Sequence, residues 1–382
     1  MARLRFIFHP ALAAVLVSTG CGGGKGDGNG EPVEVLYETC DSVCPAPPTC
    51  GEGEVLTCCT CVKVPASDAV RTTCSMLSEY CAPIAGPPDI SCYQPGGYPT
   101  SDPEGSAALH GAVDVYATGG GSDGVLVEVY RAADDGNLGT LVGEYVSDTT
   151  CLAHEADFPT VDESADEVAD CPGPCSEKVS PDNHDCRDLG YFLIDAVPTN
   201  VPLVVKTSQS GGGSLWKDML SFNIWFFDDE IGADGGLAGH VFYKARVLSV
   251  DDWRNIPVAA GDTNGIASGY AAIAGELHDC GDVRLTFAMA GTFPEANTLT
   301  YFNGVEEKLY PDLMRGGYGT NIDGLYAAIE VEPAAGGAPV FISAIARIAG
   351  EGVVSLGWQK AFLYPETLTS VTLRGTRPDQ VD

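Results

Sequence analysis

Residues 190–206, GYFLIDAVPTNVPLVVK, decide the fold class, because they predict two β-strands joined by a turn. The apolar side chains of residues 190–197 alternate, as in a strand with one buried face. Pro198-Thr199-Asn200 supplies turn residues, and residues 201–207 form a second apolar strand. A further apolar run at residues 220–227 (LSFNIWFF) closes this unit.

Earlier residues extend the same β pattern toward the amino terminus. Residues 110–116 (HGAVDVY) and 124–130 (GVLVEVY) place apolar side chains two apart, and TGGGSDG between them is turn-forming. Residues 138–145 give a third strand. We therefore predict a first β-sandwich over residues 105–228.

A second unit, residues 265–376, repeats this order. Four segments correspond: 273–277 to the opening strand, 283–289 (VRLTFAM) to 125–130, 324–331 (GLYAAIEV) to 190–197, and 340–348 (VFISAIARI) to 201–207. Each unit has the size of a seven-stranded sandwich, which occupies ~100 residues. Between the two units, residues 229–264 predict a connector with one short helix, which begins near Asp251 and Asp252 under an acidic cap.

The two units resemble a known domain family. The Gly-rich turn after the opening strand, the V-x-V of the second strand and the GYFLIDAVP run resemble the carboxypeptidase regulatory-like domain. Residues 190–206 carry the clearest match and residues 324–346 a second one. The resemblance implies a transthyretin-like, immunoglobulin-type sandwich with an accessory role and no shared catalytic residues. The predicted fold class is all-β: two tandem sandwiches preceded by a small disulfide-rich module.

The cysteine count predicts an oxidised, exported protein. The chain has 15 cysteines, and 14 remain once Cys21 is set aside for lipid. Even parity and export indicate disulfide bonds. Metal binding by thiolates is the alternative for the module at residues 35–92, where two cysteine pairs have ligand-like spacings. The disulfide candidates are Cys40, Cys44, Cys50, Cys58, Cys59, Cys61, Cys74, Cys81, Cys92, Cys151, Cys171, Cys175, Cys186 and Cys280.

The distribution of these cysteines also predicts one long-range bond. Nine of them lie between Cys40 and Cys92, which is an odd number, so at least one pairs outside that block. We expect Cys280 to be its partner.

The amino terminus resembles the export signal and lipobox of bacterial lipoproteins. Arg3 and Arg5 precede an apolar stretch, and small residues lead into Cys21, although Ser18 stands where that family usually has Leu. We predict a signal peptide at residues 1–20 and lipid on Cys21, followed by a Gly-rich tether through residue 34. An ordinary secretory signal cut elsewhere is the alternative. The expected location is membrane-anchored and extracytoplasmic, on the outer membrane or cell surface rather than the inner membrane.

Acidic residues dominate the charge and fill one insertion. The chain has 20 basic and 53 acidic residues, a net charge of −33, which repels phosphate backbones and argues against nucleic acid as a partner. Residues 151–186 form an acidic, cysteine-bearing insertion in the first sandwich. We predict a solvated loop pinned by disulfides. The alternative is a metal site formed by His154, Asp157, His184 and Asp185.

Enzyme motifs are largely missing from the sequence. Nucleophile elbows, zinc-protease motifs, P-loops and dinucleotide fingerprints do not occur. Ser214-Leu215-Trp216-Lys217 formally reads S-x-x-K, but it follows three glycines in a strand-rich unit. Asp228, Asp229, Glu230 and Asp234 offer carboxylates for Ca²⁺, without the spacing of an EF-hand. We predict no enzyme activity, no cofactor and no resident metal.

These observations predict a lipid-anchored protein with a non-catalytic structural or adhesive role. Its partners would be the membrane, through the lipid, and a cell-surface glycan or protein. A carbohydrate-binding accessory protein is one alternative. Its sugar-stacking aromatics would come from Tyr191, Trp216, Trp225, Phe226, Phe227, Tyr301 and Phe302. A Ca²⁺-binding adhesin or a hydrolase with an unrecognised site is the other alternative.

Overall fold

The structure of the protein is a computed structural model. The structure describes residues 33–36, 48–74, 81–94, 97, 100, 102–116, 122–147, 190–232, 239–304, 309–333, 337–375 and 377–378. The predicted signal peptide, Cys21 and the acidic insertion at residues 151–186 lie outside these ranges. The described chain is all-β with one α-helix among its elements, as the sequence predicts.

Sandwich 1 consists of eight strands. They are β6 (Gly105–Val115), β7 (Val125–Ala132), β8 (Leu138–Val146), β9 (Tyr191–Thr199), β10 (Leu203–Gln209), β11 (Trp216–Lys217), β12 (Met219–Ile224) and β13 (His240–Ser249). Four of them pair in the order β11-β13-β6-β9, and the other four in the order β12-β10-β7-β8. Apolar side chains from both sheets, such as Leu109, Val127 and Val205, form the core between them.

Sandwich 2 also consists of eight strands. They are β14 (Ala271–Glu276), β15 (Arg284–Thr286), β16 (Met289–Phe293), β17 (Thr298–Tyr301), β18 (Leu325–Val331), β19 (Val340–Ile348), β20 (Gly352–Ala361) and β21 (Leu368–Val371). One half pairs in the order β17-β18-β14-β21, and β20-β19-β16 form the opposing sheet. Its core includes Ile273, Tyr326, Ile342 and Val354, all fully buried.

The two sandwiches share one continuous sheet of eight strands. Strand β12 pairs in parallel with β21, which joins the halves into the order β17-β18-β14-β21-β12-β10-β7-β8. Neighbouring side chains of β10 point to opposite faces, since Val204 packs in the core of sandwich 2 and Val205 in that of sandwich 1. The opposing sheets of the two sandwiches therefore cover opposite faces of the shared sheet.

The amino-terminal segment, residues 33–94, packs on sandwich 2. Its strands are β1 (Val35–Leu36), β2 (Glu54–Thr57), β3 (Thr60–Lys63), β4 (Val70–Cys74) and β5 (Cys81–Pro83). Strand β1 adds in parallel to β20, and β4 pairs with β15. The hairpin of β2 and β3 contributes Val55 and Val62 to the core of sandwich 2. The disulfide-rich module thus lies within the second sandwich's structure.

Three details differ from the sequence-based expectations. Residues 240–249, assigned to the connector, form β13, which is paired with β6 along its length and is therefore an inner strand of sandwich 1. The helix α1 (Val250–Ala259) is present, but its cap is Ser249, whose Oγ accepts from the Asp252 backbone N–H at 2.9 Å. The counterpart of β7 is β16, because β15 pairs with the amino-terminal segment instead.

Candidate functional site

A cleft of about 330 Å³ lies between the two sandwiches. The end of β7, the start of β10 and the end of β12 form one side, and β20 of sandwich 2 forms the other. This volume is at the lower end of the ~300–1,000 Å³ typical of small-ligand sites. The lining residues are Arg131, Ala132, Ala133, Asp134, Gly136, Val201, Pro202, Leu203, Val204, Phe222, Asn223, Trp225, Trp358, Gln359 and Lys360.

Two of the chain's four tryptophans line this cleft. Trp225 follows β12, and its ring stacks on Phe227 with centroids 5.9 Å apart and planes inclined by 14°. Trp358 on β20 is half-buried and packs at a tilt against Phe341, 6.2 Å between centroids. Each indole ring is therefore held by a second aromatic ring, which fixes the shape of the cleft.

Two buried polar atoms of the cleft have no hydrogen-bond partner among the described residues. Trp225 is 8 % exposed, and its indole Nε1–H donates to nothing. Asn223 is 6 % exposed, and its Oδ1 accepts nothing, whereas its Nδ2 donates to the Thr372 backbone oxygen at 3.0 Å. Each of these atoms exposes less than 1 Å² to solvent, so each is a cost of about 1–3 kcal/mol to the folded state rather than a contact open to a ligand.

Few charged side chains line the cleft. Arg131 forms a hydrogen-bonded ion pair with Glu104, and Asp134 is exposed. Lys360 makes no ion pair within the described part of the chain. Three charges of mixed sign leave the cleft close to neutral, in contrast to the strongly acidic chain as a whole.

A second cluster of polar residues is a partly buried ionic network between the sandwiches. Glu276 at the end of β14 accepts from Arg284 Nε at 2.9 Å and lies 2.8 Å from His278 Nε2. The other ring nitrogen of His278 lies 2.7 Å from Asp282 Oδ1. Arg246 of sandwich 1 comes within 3.7 Å of Glu276 Oε1.

The network shifts the pKa values of its members. Burial raises the pKa of Glu276, but Arg284 and His278 outweigh burial and hold it well below its usual range. Burial lowers the pKa of His278, yet the hydrogen bonds to Asp282 and Glu276 outweigh it and raise the pKa. Because these side chains satisfy one another, the network is a structural joint rather than a binding site.

Asp323, next to this network, has a raised pKa. The side chain is 5 % exposed, and burial raises its pKa to about 6. One oxygen accepts from the Leu325 backbone N–H at 3.0 Å, and the other has no partner among the described residues.

Several of the candidate cysteines form disulfide bonds. Cys50 bonds to Cys61, and Cys92 bonds to Cys280, which confirms the expected link between Cys280 and the amino-terminal block. Cys58 and Cys59 are also disulfide-bonded. The backbones of Cys74 and Cys81 pair across β4 and β5. The remaining candidates, Cys40, Cys44, Cys151, Cys171, Cys175 and Cys186, lie outside the described residues, as does the lipidation candidate Cys21.

The other sequence-predicted sites do not converge. Trp216 and Lys217 form the short strand β11, and Lys217 Nζ lies over the Trp253 ring, so S-x-x-K does not begin a helix. Asp228 accepts from Thr199 Oγ1 at 2.6 Å, and Glu230 accepts from the Phe227 backbone N–H at 2.9 Å. These two carboxylates therefore hold a turn.

The residues proposed for metal binding are only partly described. Within the described ranges, no three His, Cys, Asp or Glu side chains are grouped to hold a metal ion. His154, Asp157, His184, Asp185 and Asp234 lie outside them. In the same ranges, no helix has the length and apolarity to cross a membrane.

The aromatic candidates are mostly core residues. Tyr191, Phe226, Tyr301 and Phe302 are at most 4 % exposed and away from the cleft lining, so four of the seven are wrong as sugar-stacking residues. Trp216 is half-buried on β11, Phe227 stacks on Trp225, and Trp225 itself lines the cleft. Sequence reasoning missed Trp358. The alternation of GVVSLGWQKA at residues 352–361 was the available signal for its strand.

Comparisons with known proteins leave the chain without an assigned family. No protein-family model matches it, and no curated protein matches it. Among solved structures, the TIE protein of Bacillus anthracis is 10 % identical with a TM-score of 0.20, over 70 % of this chain and 33 % of that one. This chain therefore spans about a third of that protein's length.

Two pilins of Lactobacillus rhamnosus GG are similarly distant. The shaft pilin SpaA is 8 % identical with a TM-score of 0.19, over 70 % of this chain and 97 % of its own. The basal pilin SpaE is 13 % identical with a TM-score of 0.15, over 63 % and 84 %. Similarities this low carry no argument about fold or function.

Proposed function

We propose that this chain is a bacterial lipoprotein, exported and acylated at Cys21, with a non-catalytic structural or adhesive role outside the cytoplasm. The lipobox-like residues before Cys21, the Gly-rich stretch at residues 22–30 and the disulfides Cys50–Cys61 and Cys92–Cys280 support this proposal. Disulfides are typical of oxidising, extracytoplasmic compartments. The resemblance to carboxypeptidase regulatory-like domains fits an accessory role.

The observation that carries the proposal is how the amino-terminal segment is fastened to the folded body. From residue 33 onward, three features attach this segment to sandwich 2. Strand β1 pairs with β20, a backbone β-bridge joins Asp68 and Arg347, and the disulfide Cys92–Cys280 adds a covalent bond. The shared eight-stranded sheet then continues into sandwich 1. A force applied at a membrane anchor would therefore pass through strand pairing and a covalent bond, which suits a load-bearing surface component.

Acylation is tested by expressing the full chain in a Gram-negative host fed an alkyne-tagged palmitate. We expect label on the wild type and none on Cys21→Ala, and we expect Cys21→Ala to leave the membrane fraction. Surface location is checked by protease treatment of intact cells. Mature protein with an unmodified Cys21, or a reduced cytoplasmic product, would contradict the anchor.

The adhesive role is tested with cells that display the chain. Cells that carry the wild type should settle on polysaccharide- or cell-coated surfaces in greater numbers than cells that carry Cys21→Ala. Purified full chain is assayed in parallel on ester, peptide and glycoside substrates, with and without EDTA. Turnover that EDTA abolishes would overturn the non-catalytic role.

A further inference from the structure

Exposed apolar side chains are concentrated at one end of sandwich 2. A 3₁₀ helix, Leu313–Gly317, lies beside the end of β17, and Leu313 and Met314 on it are 65 % and 80 % exposed. Tyr318, directly after it, is 54 % exposed, and Val258 of α1 is 51 % exposed. Four of the seven large apolar residues that are exposed in the described chain therefore belong to this turn and to α1.

The turn and the end of α1 adjoin each other. Leu313 Cδ2 lies 3.5 Å from the position that a Cβ on Gly261 would occupy, and the Gly261 backbone N–H donates to the Val258 oxygen at 3.1 Å. Single exposed apolar residues are common on soluble proteins, whereas a group of them marks a surface for a partner or a membrane. We call Val258, Leu313, Met314 and Tyr318 the apolar tip.

The apolar tip lies at the end of sandwich 2 where the chain enters it. Just after the tip, the Thr320 backbone N–H donates to the Ala288 oxygen at 2.9 Å, directly before β16 begins at Met289. Strand β1 is parallel to β20, and β16 and β20 are both antiparallel to β19, so β1 and β16 begin at the same end of their sheet. Val35 is in register with Arg347 through β20, two residues from the partner of Met289. Three strand spacings, about 14 Å, separate β1 from β16.

An anchor at Cys21 would hold this same end of sandwich 2 near a membrane. The structure describes the chain from Val33, and the residues from Cys21 to Val33 span at most about 43 Å. A Gly-rich sequence of this length has a root-mean-square span of about 20 Å. The end that bears the apolar tip would therefore be closer to the bilayer than the far edge of the shared sheet.

We propose that the apolar tip contacts the lipid bilayer that carries the acylated Cys21, with Leu313 and Met314 inserted at the boundary of headgroups and acyl chains. The inference rests on the proposed function in one respect, since the anchor brings the chain to the membrane. Leu and Met side chains are stabilised when they leave water, and Tyr suits the headgroup level because its ring is apolar and its hydroxyl is polar. The contact would fix the orientation of sandwich 2 on the membrane.

The charges at this end of the molecule favour neutral lipids over other partners. Glu34, Asp68 and Glu351 are exposed near the starts of β1 and β20, on a chain of net charge −33. Anionic headgroups would be repelled by these carboxylates. A second copy of the chain that docked through the same end would bring the two sets of carboxylates together. Zwitterionic lipids offer an apolar contact without this repulsion.

Lipid contact is measured by photocrosslinking from the apolar tip. The mature chain, residues 21–382 with Cys21→Ala, carries an amino-terminal His tag and is bound to phosphatidylcholine vesicles through a nickel-chelating lipid. Benzoylphenylalanine is placed at position 314 or, as the matched control, at position 141. Leu141 is 44 % exposed on β8, seven strand spacings or about 34 Å from β17 across the shared sheet. We expect about tenfold more protein–lipid adduct from position 314, because an interfacial contact is only ~5–10 Å deep.

Two double variants test whether the apolar side chains hold the tip at the bilayer. With benzoylphenylalanine at position 318, Leu313→Ser/Met314→Ser should lower the adduct about fivefold, because the inserted apolar area is lost. Leu141→Ser/Val146→Ser removes two exposed apolar side chains of β8 and should leave the adduct within about twofold. Circular dichroism confirms that each variant is folded.

The outcomes distinguish this inference from the proposed function. Equal adduct from positions 314 and 141, or adduct at position 318 that Leu313→Ser/Met314→Ser leaves unchanged, would overturn the inference. Crosslinks from position 314 to a second copy of the chain in place of lipid would overturn it in favour of a dimer. The nickel-chelating lipid replaces the acyl group, so an unmodified Cys21 in cells would contradict the proposed anchor without changing the vesicle result. Acylated Cys21 with no lipid adduct at the tip would leave the anchor and remove only the membrane contact.

Discussion

In each sandwich, a glycine of the first strand pairs with an aromatic residue of a neighbouring strand. That neighbouring strand begins directly after Gly190 in sandwich 1 and after Gly324 in sandwich 2. In sandwich 1, Gly111 of β6 is opposite Phe192 of β9, and in sandwich 2, Gly275 of β14 is opposite Tyr326 of β18. In both, the first strand also pairs in parallel with the last. This agreement of detail supports duplication of one unit.

The sandwiches differ at one strand, and the difference explains the role of the amino-terminal segment. In sandwich 1 the third strand, β8, pairs with β7. In sandwich 2 its counterpart, β17, pairs with β18 in the opposite sheet. The hairpin of β2 and β3 packs against β16 instead, so closely that a Cβ on Gly291 would lie 2.7 Å from the Cys61 oxygen. Sandwich 2 therefore needs the amino-terminal segment to complete its core.

The shared glycine predicts the largest effect. A Cβ at position 111 would lie 1.8 Å from the Tyr243 backbone oxygen, and one at position 275 would lie 1.8 Å from that of Val371. We expect Gly111→Ala and Gly275→Ala each to lower the free energy of unfolding by roughly 4 kcal/mol or more, because backbone must move. Denaturant unfolding measures both.

The matched control for this pair is Gly212→Ala. A Cβ there meets nothing within 4 Å, and its φ is not positive, so the change should stay within about 0.5 kcal/mol. A large loss at Gly111 with tolerance at Gly275, or the reverse, would show that the two positions are not structural counterparts.

The second prediction concerns the disulfide that bonds the amino-terminal segment to sandwich 2. The described residues of sandwich 1 contain no counterpart of this bond. Cys92–Cys280 spans 188 residues, and Cys50–Cys61 spans 11. Because a cross-link restricts the unfolded chain more when its loop is longer, Cys92→Ala/Cys280→Ala should cost roughly 4 kcal/mol and Cys50→Ala/Cys61→Ala roughly 2 kcal/mol. Thermal unfolding of the two double variants tests the order, and equal losses would contradict it.

Local pattern in the sequence predicts the strands but not their long-range partners. The apolar runs at residues 190–197 and 324–331 predict β9 and β18. Strand β18 is buried on both faces, since Tyr326 packs in one core cluster and Ala327 in another. The parity of the cysteines predicts the partner block of Cys280. The pairing of β12 with β21 joins residues about 150 positions apart, and nothing local in either strand indicates it.

The sequence did not predict the cleft for the same reason, because the residues that line it are brought together by long-range contacts. Trp225 and Trp358 come from different sandwiches and line the same cleft because β20 lies next to the ends of β7, β10 and β12. Aromatic residues in strands are usually core, as Tyr301 and Phe302 are, so composition does not separate them from a binding residue. What separates Trp225 is its position in the cleft lining, which is a property of the fold.

The smallest predicted effect is a pH dependence that belongs to sandwich 2. Burial raises the pKa of Asp323 from 3.8 to about 6, whereas the sequence places Leu189 at the corresponding position before Gly190. A raised pKa means that the folded state binds the proton more tightly than the unfolded chain. The stability contributed is therefore fully present below pH 3.8 and is lost as the pH rises through about 6.

We expect about 1 kcal/mol of this loss between pH ~5 and pH ~7, and Asp323→Asn should remove it. His278 acts with the same sign, since its raised pKa also favours the protonated folded state, but its contribution remains in Asp323→Asn and is lost mainly above pH ~6.5. Glu276 has the opposite sign and matters only under more acidic conditions, because its pKa is lowered. Urea unfolding across this range compares the two proteins. Two results would contradict this prediction: a wild-type free energy of unfolding that stays flat or rises with pH, or an Asp323→Asn variant that keeps the full pH slope. Either would mean that Asp323 is ionised without cost to stability.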